Sequence, residues 1–271
     1  MTTTFDRYGP WALVAGGAQG IGAAFSQGAA SLGLNIIVID NCHDALDGFT
    51  RTMAKTCDVE CLGIRLDLSQ PDMLDIITTA VGDREVGLVV YNAALADVGP
   101  FYKKDTGLEF EKKRIAINVT GPMVLSYHFG KSMLARKSGG IILMSSGAGL
   151  QGSPYYAHYS ATKAYDIALA EALWGEFKPY NVDVLACVAG MTLSTSEAGY
   201  KHLDTSTFQT TDELVDEAFG ALGNQPTLIA GEHNRQNRKM LQNADREELI
   251  GMMSQHAIDS FLGGEVPEQN I

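Results

Sequence analysis

Short apolar runs recur along the chain, and each one ends at a polar or glycine-rich position. Seven of these runs are typical of buried parallel strands: residues 11–15, 34–39, 60–66, 86–91, 141–144, 182–188 and 227–229. Stretches with helical periodicity lie between or after them, at 23–32, 45–55, 108–137, 212–222 and 246–261. Another predicted helix contains Tyr159 and Lys163 and runs to about Phe177, and a further helix can begin at Pro71. The alternation predicts an α/β protein with a doubly wound Rossmann fold: a seven-stranded, mostly parallel sheet with helices on both faces.

The chain shows no internal repeat, linker or low-complexity tract, so residues 1–271 are expected to form a single domain. Residues 191–210 have no clear period and are rich in Ser and Thr, which predicts a mobile loop. Residues 235–271 are expected to form a C-terminal helical tail. Gly121-Pro122 falls inside the long helical stretch 108–137 and predicts a kink or a local irregularity there.

Composition narrows the range of partners. The formal net charge is -12, and phosphate contacts need clustered Lys and Arg, so no nucleic acid is expected. That charge gives no attraction to an anionic membrane surface, and no apolar run approaches the roughly 20 residues that span a bilayer. The first residues lack the basic-then-apolar order of a signal peptide. The four cysteines and the histidines show no ligand spacing, so we expect a cytoplasmic protein with reduced thiols and no metal.

A glycine-rich turn, residues 16–22 with the sequence GGAQGIG, follows the first predicted strand. Such a turn before a helix lets the backbone approach a pyrophosphate and directs N–H groups at it. The second strand ends at Asp40, whose carboxylate can accept hydrogen bonds from adenosine ribose hydroxyls and would repel a 2′-phosphate. Asn41 follows, and the turn holds no Lys or Arg, so the sequence favours NAD over NADP. Asp40 could also cap a helix, and Asp67 could bond an adenine amino group or cap a helix.

Tyr159 and Lys163 stand one turn apart on a predicted helix, where residues four apart are neighbours. A free phenol, with a pKa of about 10, is a poor base at neutral pH. A nearby ammonium stabilises a phenolate, so the pair is a candidate proton-transfer device, although such a pair can equally be a packing feature.

These positions resemble, in order, the motif set of the short-chain dehydrogenase/reductase family. The matching residues are Gly16-x-x-x-Gly20-x-Gly22, Asn92-Ala93-Ala94, Asn118, Ser146 and Tyr159-x-x-x-Lys163. The resemblance implies a single dinucleotide-binding and catalytic domain whose catalytic residues are Asn118, Ser146, Tyr159 and Lys163. The cofactor contacts that it implies are Gly16, Gln19, Gly20, Ile21, Asp40, Asp67, Leu68, Asn92, Tyr159, Lys163 and Thr192.

By this resemblance, Tyr159 is the general base for alcohol oxidation or the acid for ketone reduction. Lys163 supports it and bonds the nicotinamide ribose, and Ser146 holds the substrate oxygen. The helix at Asn118 holds a water that links Lys163 to solvent. The family's oligomers imply a homodimer or homotetramer, formed through the helices near 108–137 and 161–177.

Four further segments, at residues 8–14, 66–71, 192–195 and 228–231, are similar to bacterial 7β-hydroxysteroid dehydrogenases. The first is also similar to reductases of long-chain 3-oxoacyl thioesters. The expected function is NAD-dependent interconversion of a secondary alcohol and ketone on a bulky, steroid-like substrate. The alternatives are a 3-oxoacyl thioester reductase and a catalytically silent nucleotide-sensing protein.

The residues that line the substrate pocket are harder to predict from the sequence than the catalytic and cofactor-binding residues. Candidates for an apolar pocket, some of which could instead belong to the core, are Leu95, Phe101, Leu150, Tyr155, Tyr156, Met191, Leu193 and Tyr200. Lys201 or His202 could meet an acidic group on a substrate or could simply be solvated.

Overall fold

The computed structural model describes residues 6–103, 106–194, 205–241 and 243–271. Its strands are β1 (Trp11–Ala15), β2 (Asn35–Asp40), β3 (Cys61–Arg65), β4 (Val86–Tyr91), β5 (Gly139–Ser146), β6 (Val182–Ala189), β7 (Thr192–Leu193), β8 (Gln209–Thr210) and β9 (Thr227–Ile229). Its helices are α1 (Gly20–Ser31), α2 (His43–Thr56), α3 (Met73–Val81), α4 (Leu108–Ile115), α5 (Gly121–Arg136), α6 (Ala157–Phe177), α7 (Thr211–Ala221), α8 (Glu232–Leu241) and α9 (Arg246–Phe261). Within these ranges, no helix combines the length and the apolar character needed to cross a membrane.

Seven strands form one sheet in the order β3-β2-β1-β4-β5-β6-β9, and each neighbouring pair runs parallel. This arrangement confirms the predicted doubly wound Rossmann fold. The chain reverses its direction of travel across the sheet between β1 and β4. In open parallel sheets, ligands bind at the carboxyl ends of the strands on either side of that reversal.

Each face of the sheet is covered by helices, and the strands are apolar on both sides for that reason. Ala12 and Val14 of β1 face one hydrophobic cluster, to which α1, α2 and α7 contribute. Leu13 and Ala15 face the other cluster, built with α3, α5 and α6. The alternation follows from the two-residue repeat of a strand.

The predicted helix over 108–137 is three pieces instead of one. Between α4 and α5, residues Ala116–Thr120 form a π-helical turn, in which the Gly121 N–H reaches back five residues to the Ala116 carbonyl. Pro122 has no N–H to give the carbonyl of Asn118, four residues earlier, so the regular ladder cannot continue. The local irregularity predicted from Gly121-Pro122 is therefore confirmed, and it falls at Asn118.

The segment after β6 differs in part from its prediction. At the two ends of the predicted mobile loop 191–210, the short strands β7 and β8 pair in parallel. Residues 195–204 lie outside the described part of the chain, so the mobility stays a prediction. Most of α8 lies within the predicted helical tail 235–271, but the hydrophobic pattern gives no bounds for this helix, because it is rich in polar residues and buries none of them.

Candidate active site

The end of β5 and the first half of α6 are fastened together at the sheet's carboxyl edge. The Ser145 hydroxyl donates to the Lys163 carbonyl over 2.7 Å. A Cβ on Gly149 would lie 2.6 Å from the Lys163 carbonyl carbon, so only glycine allows this approach. Ser146 is partly exposed, and its hydroxyl accepts a hydrogen bond from the Ala148 N–H over 3.2 Å. The strand therefore delivers Ser146 beside the turn of α6 that carries Lys163.

Tyr159 and Lys163 lie one turn apart on α6, as the sequence predicts. The Lys163 ammonium is 5.9 Å from the centroid of the Tyr159 ring. It donates to the Met144 carbonyl over 2.7 Å and to the Asp166 carboxylate over 3.0 Å. Tyr159 is half-buried, whereas Lys163 and Asp166 are almost fully buried. The pair can therefore present a phenol to a ligand while a buried positive charge lies beneath it.

Asn118 lies in the π-helical turn and its side chain joins two elements. Its amide oxygen accepts from the Leu95 N–H over 2.8 Å, and its amide nitrogen donates to the Leu95 carbonyl and to Thr162 Oγ1, both over 3.1 Å. These bonds tie the segment after β4 to α6, one residue before Lys163. The Asn118 side chain is thus fully engaged by the protein, which leaves the backbone at this turn as the part that can contact a ligand or a solvent molecule.

The glycine-rich turn forms the start of the predicted cofactor site. Gly16 adopts a φ of 70° and packs so closely on Ala93 that a Cβ would lie 2.8 Å from the Ala93 Cα. Asn92 at the end of β4 donates to the Gly16 carbonyl over 2.9 Å and fixes the turn from the other side. Gly20 starts α1 with a φ of 53°.

The N-terminus of α1 fits a diphosphate. Gln19 is the N-cap residue, and it makes no side-chain capping bond. The first turn of α1 carries no acidic residue, and Ile21 within it is half-buried. The first N–H groups of a helix need acceptors, and they attract an anion. Of the described residues, no group of three or more His, Cys, Asp or Glu side chains could hold a metal ion.

Asp40 is bonded to the glycine turn and does not cap a helix. One carboxylate oxygen accepts from the Ala18 N–H over 3.2 Å and the other from the Cys42 N–H over 3.0 Å. Cys42, not Asp40, is the N-cap of α2, so the helix-cap interpretation of Asp40 is wrong. In the sheet register Asp40 lies opposite Arg65, an exposed residue that the sequence analysis did not connect with the cofactor.

Asp67 serves neither as a helix cap nor as an isolated carboxylate. It accepts hydrogen bonds from the Ser69 N–H and hydroxyl and from the Lys113 ammonium, the last over 2.7 Å. Burial opposes the charge, but these hydrogen bonds outweigh it and hold the pKa of Asp67 below its ordinary value. The helix that follows has Asp72 as its N-cap, so the cap interpretation is wrong here too.

The two remaining predicted cofactor contacts have buried side chains. Leu68 packs into the hydrophobic cluster on the α3 face, and only its backbone is placed to meet a ligand. Thr192 is buried in β7, and its hydroxyl donates to the Gly190 carbonyl over 3.2 Å.

Several aromatic side chains lie near Tyr159 and His158, and we call this region the mouth of the site. The Tyr156 ring lies 6.1 Å from that of Tyr159 and 6.0 Å from that of Phe261 in α9. Phe101 lies 5.1 Å from the ring of His158. Of the other predicted wall residues, Leu95, Leu150, Tyr155 and Met191 are half-buried and Leu193 is exposed, while Tyr200, Lys201 and His202 lie outside the described residues.

The C-terminal segment also reaches this mouth. The Tyr102 N–H donates to the Gln269 side chain, and the Asn270 N–H donates to the Tyr102 carbonyl, both over 3.0 Å. Phe261 and this terminal segment were not among the predicted wall residues, because nothing local in the sequence places the chain's end beside Tyr156. Asp166 was missed as well, although its position three residues after Lys163 on one helix was a usable signal.

Known proteins similar to this chain include oxidoreductases that fit the geometry of the site. A family model described as short chain dehydrogenase matches residues 10–205. The 7β-hydroxysteroid dehydrogenase of Mediterraneibacter gnavus is 32% identical over 244 residues, which cover 86% of this chain and 90% of that protein. The very-long-chain 3-oxoacyl-CoA reductase of Mus musculus is 31% identical over 180 residues, which cover 66% of this chain and 58% of that protein.

Among solved structures, one from work on 7β-hydroxysteroid dehydrogenase stereoselectivity matches with a TM-score of 0.87 and 28% identity, covering 93% of this chain and 99% of that chain. The family model alone spans more than half of the chain. The chain therefore belongs to the short-chain dehydrogenase family and is an oxidoreductase related to the 7β-hydroxysteroid dehydrogenases.

Proposed function

We propose that the protein is an NAD(H)-dependent oxidoreductase that interconverts a secondary alcohol and a ketone on a bulky, apolar, steroid-like substrate. The observation that carries the proposal is the placement of Tyr159 and a buried Lys163 on α6, which Ser145 fastens to the end of β5 where Ser146 follows, at the edge of the sheet that also holds the uncapped N-terminus of α1. Ser146, Tyr159 and Lys163 supply groups for an alcohol oxygen and its proton, and the N-terminus of α1 accepts a diphosphate.

Ser146 and Tyr159 each have one task in the proposed reaction, and Lys163 has two. The Ser146 hydroxyl bonds the substrate oxygen and orients the carbinol carbon. The Tyr159 phenolate takes the hydroxyl proton in oxidation, and the phenol returns it in reduction. The Lys163 ammonium stabilises the phenolate and bonds the nicotinamide ribose. When bound, the nicotinamide ring accepts or supplies the hydride that moves between it and the carbinol carbon.

The proton then needs a route from Lys163 to solvent. The π-helical turn supports a path beside Asn118, because Pro122 cannot donate to the Asn118 carbonyl. A carbonyl released from its helical partner can hold a water molecule. Asn118 acts in this proposal through its backbone, and its side chain keeps the turn at a fixed distance from α6 through Thr162.

NAD is the proposed cofactor because of Asp40. Its carboxylate lies at the end of β2, bonded to the glycine turn, where a ribose 2′-phosphate would meet a negative charge. Arg65 in the neighbouring strand is the residue that could weaken this preference, since a guanidinium pairs well with phosphate. The carboxylate stands closer to the turn and decides the preference in this proposal.

The rings at the mouth support a large, flat, apolar substrate. Tyr156 offers aromatic surface beside Tyr159, Phe261 extends it beyond Tyr156, and Phe101 packs on the neighbouring His158. Binding sites for such ligands are mostly apolar, with a few polar groups that fix orientation. The similarity to a 7β-hydroxysteroid dehydrogenase over most of both chains supports a steroid alcohol.

A second candidate is a reductase of 3-oxoacyl thioesters. The similarity to the mouse 3-oxoacyl-CoA reductase favours it, although this chain matches only 58% of that protein. A third, a nucleotide-sensing protein without catalysis, has the intact Ser146, Tyr159 and Lys163 against it.

The deciding experiment is a substrate panel assayed by the absorbance of the reduced cofactor. The panel contains a 7β-hydroxysteroid, a long-chain 3-oxoacyl thioester and a small secondary alcohol, each with NAD(H) and with NADP(H). We expect the highest kcat/KM for the steroid with NAD(H), at least tenfold above the other two substrates. Preference for the thioester would favour the second candidate. NAD binding without turnover of any substrate would contradict the proposal and favour the third candidate, the nucleotide-sensing protein.

A further inference from the structure

A buried ion pair lies directly under the catalytic tyrosine. The Lys163 ammonium donates to one Asp166 oxygen over 3.0 Å, and the two side chains are only 4% and 3% exposed. The second Asp166 oxygen has no hydrogen-bond partner among the described residues. A buried carboxylate is costly unless it is paired, so Lys163 is the group that makes a charge at Asp166 tolerable.

The surroundings of Asp166 contain few other charges. Burial, with a further contribution from the Asp166 carboxylate, raises the pKa values of Tyr91 on β4 and Tyr165 on α6. The Tyr91 hydroxyl donates to the Ile117 carbonyl and so does not pair with Asp166. Burial likewise raises the pKa of Asp166, and Lys163 opposes this rise through its charge and its hydrogen bond.

Other elements around α6 bring no competing charge to Lys163. On α4, which packs against α6, the Arg114 charge is paired with Asp97 and with Glu111. The end of β5 offers the Met144 carbonyl and the Ser145 hydroxyl, which are both uncharged. Asp166 is therefore the counter-charge of Lys163 within the described part of the chain.

The geometry also accounts for the donors of Lys163. An ammonium has three N–H groups. One goes to the Met144 carbonyl and a second to Asp166, both below the site. One donor is left for the side on which Tyr159 and a cofactor ribose lie. The two partners therefore fix the ammonium in place and still leave it one N–H group for Tyr159 or the cofactor ribose.

We propose that Asp166 is a positioning residue for the reaction: its carboxylate anchors Lys163 and sets the pH at which the Tyr159–Lys163 pair gives up its proton. This inference rests on the proposed function, because it assigns Asp166 a role in the same proton transfer. A negative charge close to the pair favours the protonated forms of both groups. Removal of that charge makes the first proton leave at lower pH, whichever of the two groups loses it.

The test uses the full-length protein with Asp166→Asn, which keeps the shape and removes the charge, and Asp166→Ser, a smaller neutral acceptor. We expect the acid limb of the pH–rate profile for alcohol oxidation to move down by about 0.5–1 pH unit, because a nearby negative charge no longer favours the protonated forms of the pair. We also expect kcat to fall at least threefold, because the ammonium loses an anchor. An unmoved midpoint in a folded neutral variant would overturn the proposal.

Two controls separate positioning from stability. Asp183→Asn removes a carboxylate from another ion pair, with Arg7, at the opposite end of the strands, and it should leave the midpoint unchanged. Asp166→Glu retains the charge and should bring the midpoint back toward that of the unmodified protein. A purely structural Asp166 would lower Tm and activity at every pH without moving the midpoint.

A spectroscopic titration makes the test independent of turnover. Tyrosinate absorbance is titrated in the unmodified protein and in Asp166→Asn, each against its Tyr159→Phe counterpart, so that the difference reports Tyr159. The Tyr159 midpoint should fall in Asp166→Asn if Tyr159 loses the first proton, and it should rise if Lys163 loses it, because a neutral amine no longer stabilises the phenolate. An unchanged midpoint would overturn the proposal. If no alcohol is turned over, the proposed function fails while this result still stands.

Should neither neutral variant fold, the ¹⁵Nζ resonance of Lys163 carries the test in the unmodified protein. It is assigned as the signal missing from Lys163→Arg. A charged ammonium at neutral pH supports the anchoring role, and a neutral amine overturns it.

Discussion

At the scale of single residues, the two serines that end β5 have separate tasks. Ser145 donates to the Lys163 carbonyl inside the protein, whereas Ser146 is partly exposed at the proposed substrate site. Ser146→Ala should therefore lower kcat at least tenfold with NAD affinity and Tm nearly unchanged. Ser145→Ala removes a buried hydrogen bond to a carbonyl that keeps its helical partner, and it should cost about 0.5–1.5 kcal/mol of unfolding free energy. Kinetics, NAD titration and thermal unfolding of both variants check this, and equal kcat losses would contradict it.

The proposed preference for NAD also depends on single side chains. NAD should bind at least tenfold more tightly than NADP, a difference of about 1.4 kcal/mol, because Asp40 repels a 2′-phosphate. Asp40→Ala with Asn41→Arg removes the repulsion and adds a phosphate partner, so the preference should narrow or reverse. Adding Arg65→Ala to that double variant should reverse part of its increase in NADP affinity, since Arg65 lies opposite position 40 in the sheet and can pair with the 2′-phosphate. Fluorescence titrations measure the affinities, and equal affinities in the unmodified protein would contradict the account.

At the scale of elements, the strands and most helices follow from the hydrophobic pattern alone. The seven apolar runs became the seven strands of the main sheet, because a buried parallel strand has to be apolar on both faces. The π-helical turn at Asn118 was signalled only by Gly121-Pro122, and its form depends on tertiary contacts such as the Tyr91 hydroxyl bond to Ile117. The polar helix α8 carries no apolar stripe, so the hydrophobic pattern could not set its bounds within the predicted tail 235–271.

Part of the site was equally accessible from sequence. Tyr159, Lys163, Ser146 and the glycine turn stand at spacings that a local motif fixes. The sequence leaves the roles of Asp40 and Asp67 open, because a carboxylate at a strand end can bond a ligand, a turn or a helix. Their hydrogen-bond partners in the folded chain, the glycine turn for Asp40 and Lys113 for Asp67, exclude the helix cap. Phe261 lies about a hundred residues from Tyr156 along the chain, and no local pattern encodes that contact.

The C-terminal segment is bonded to Tyr102, whose ring packs against that of Phe101. Removal of residues 266–271 deletes the contacts of Gln269 and Asn270 with Tyr102. We expect the KM of a bulky steroid alcohol to rise at least threefold, while the KM of a small secondary alcohol stays the same, since only the larger substrate reaches that wall. Removal of Ile271 alone is the control, and steady-state kinetics are the measurement. An equal change for both substrates would show that the segment acts on the reacting centre instead.

At the scale of the whole molecule, α4 and α5 leave apolar side chains in the solvent. Met123 and Tyr127, four residues apart on α5, are 45% and 83% exposed. We propose that this surface lies in a homodimer or homotetramer. Light scattering at micromolar concentration should report two or four copies, and Met123→Glu with Tyr127→Glu should shift the protein toward the monomer. Met240→Glu, at an exposed position of α8, is the control. A monomer in the unmodified protein would contradict the proposal.

The fold as a whole delivers one phenol, one ammonium and one hydroxyl to a single edge of the sheet, and the central claim is that Tyr159 moves the proton there. Tyr159→Phe retains the ring and removes the transferable proton. Tyr165→Phe removes another phenol hydroxyl from the same helix and serves as the matched control.

The most direct measurement is the turnover number of these two variants and the unmodified protein for the best substrate of the panel, with an NAD titration of each. We predict that Tyr159→Phe loses at least about a hundredfold in kcat, in line with general acid–base catalysis, with NAD affinity retained, and that Tyr165→Phe stays within twofold of the unmodified protein. Near-normal turnover in Tyr159→Phe would show that the proton leaves by another group and would contradict the mechanism.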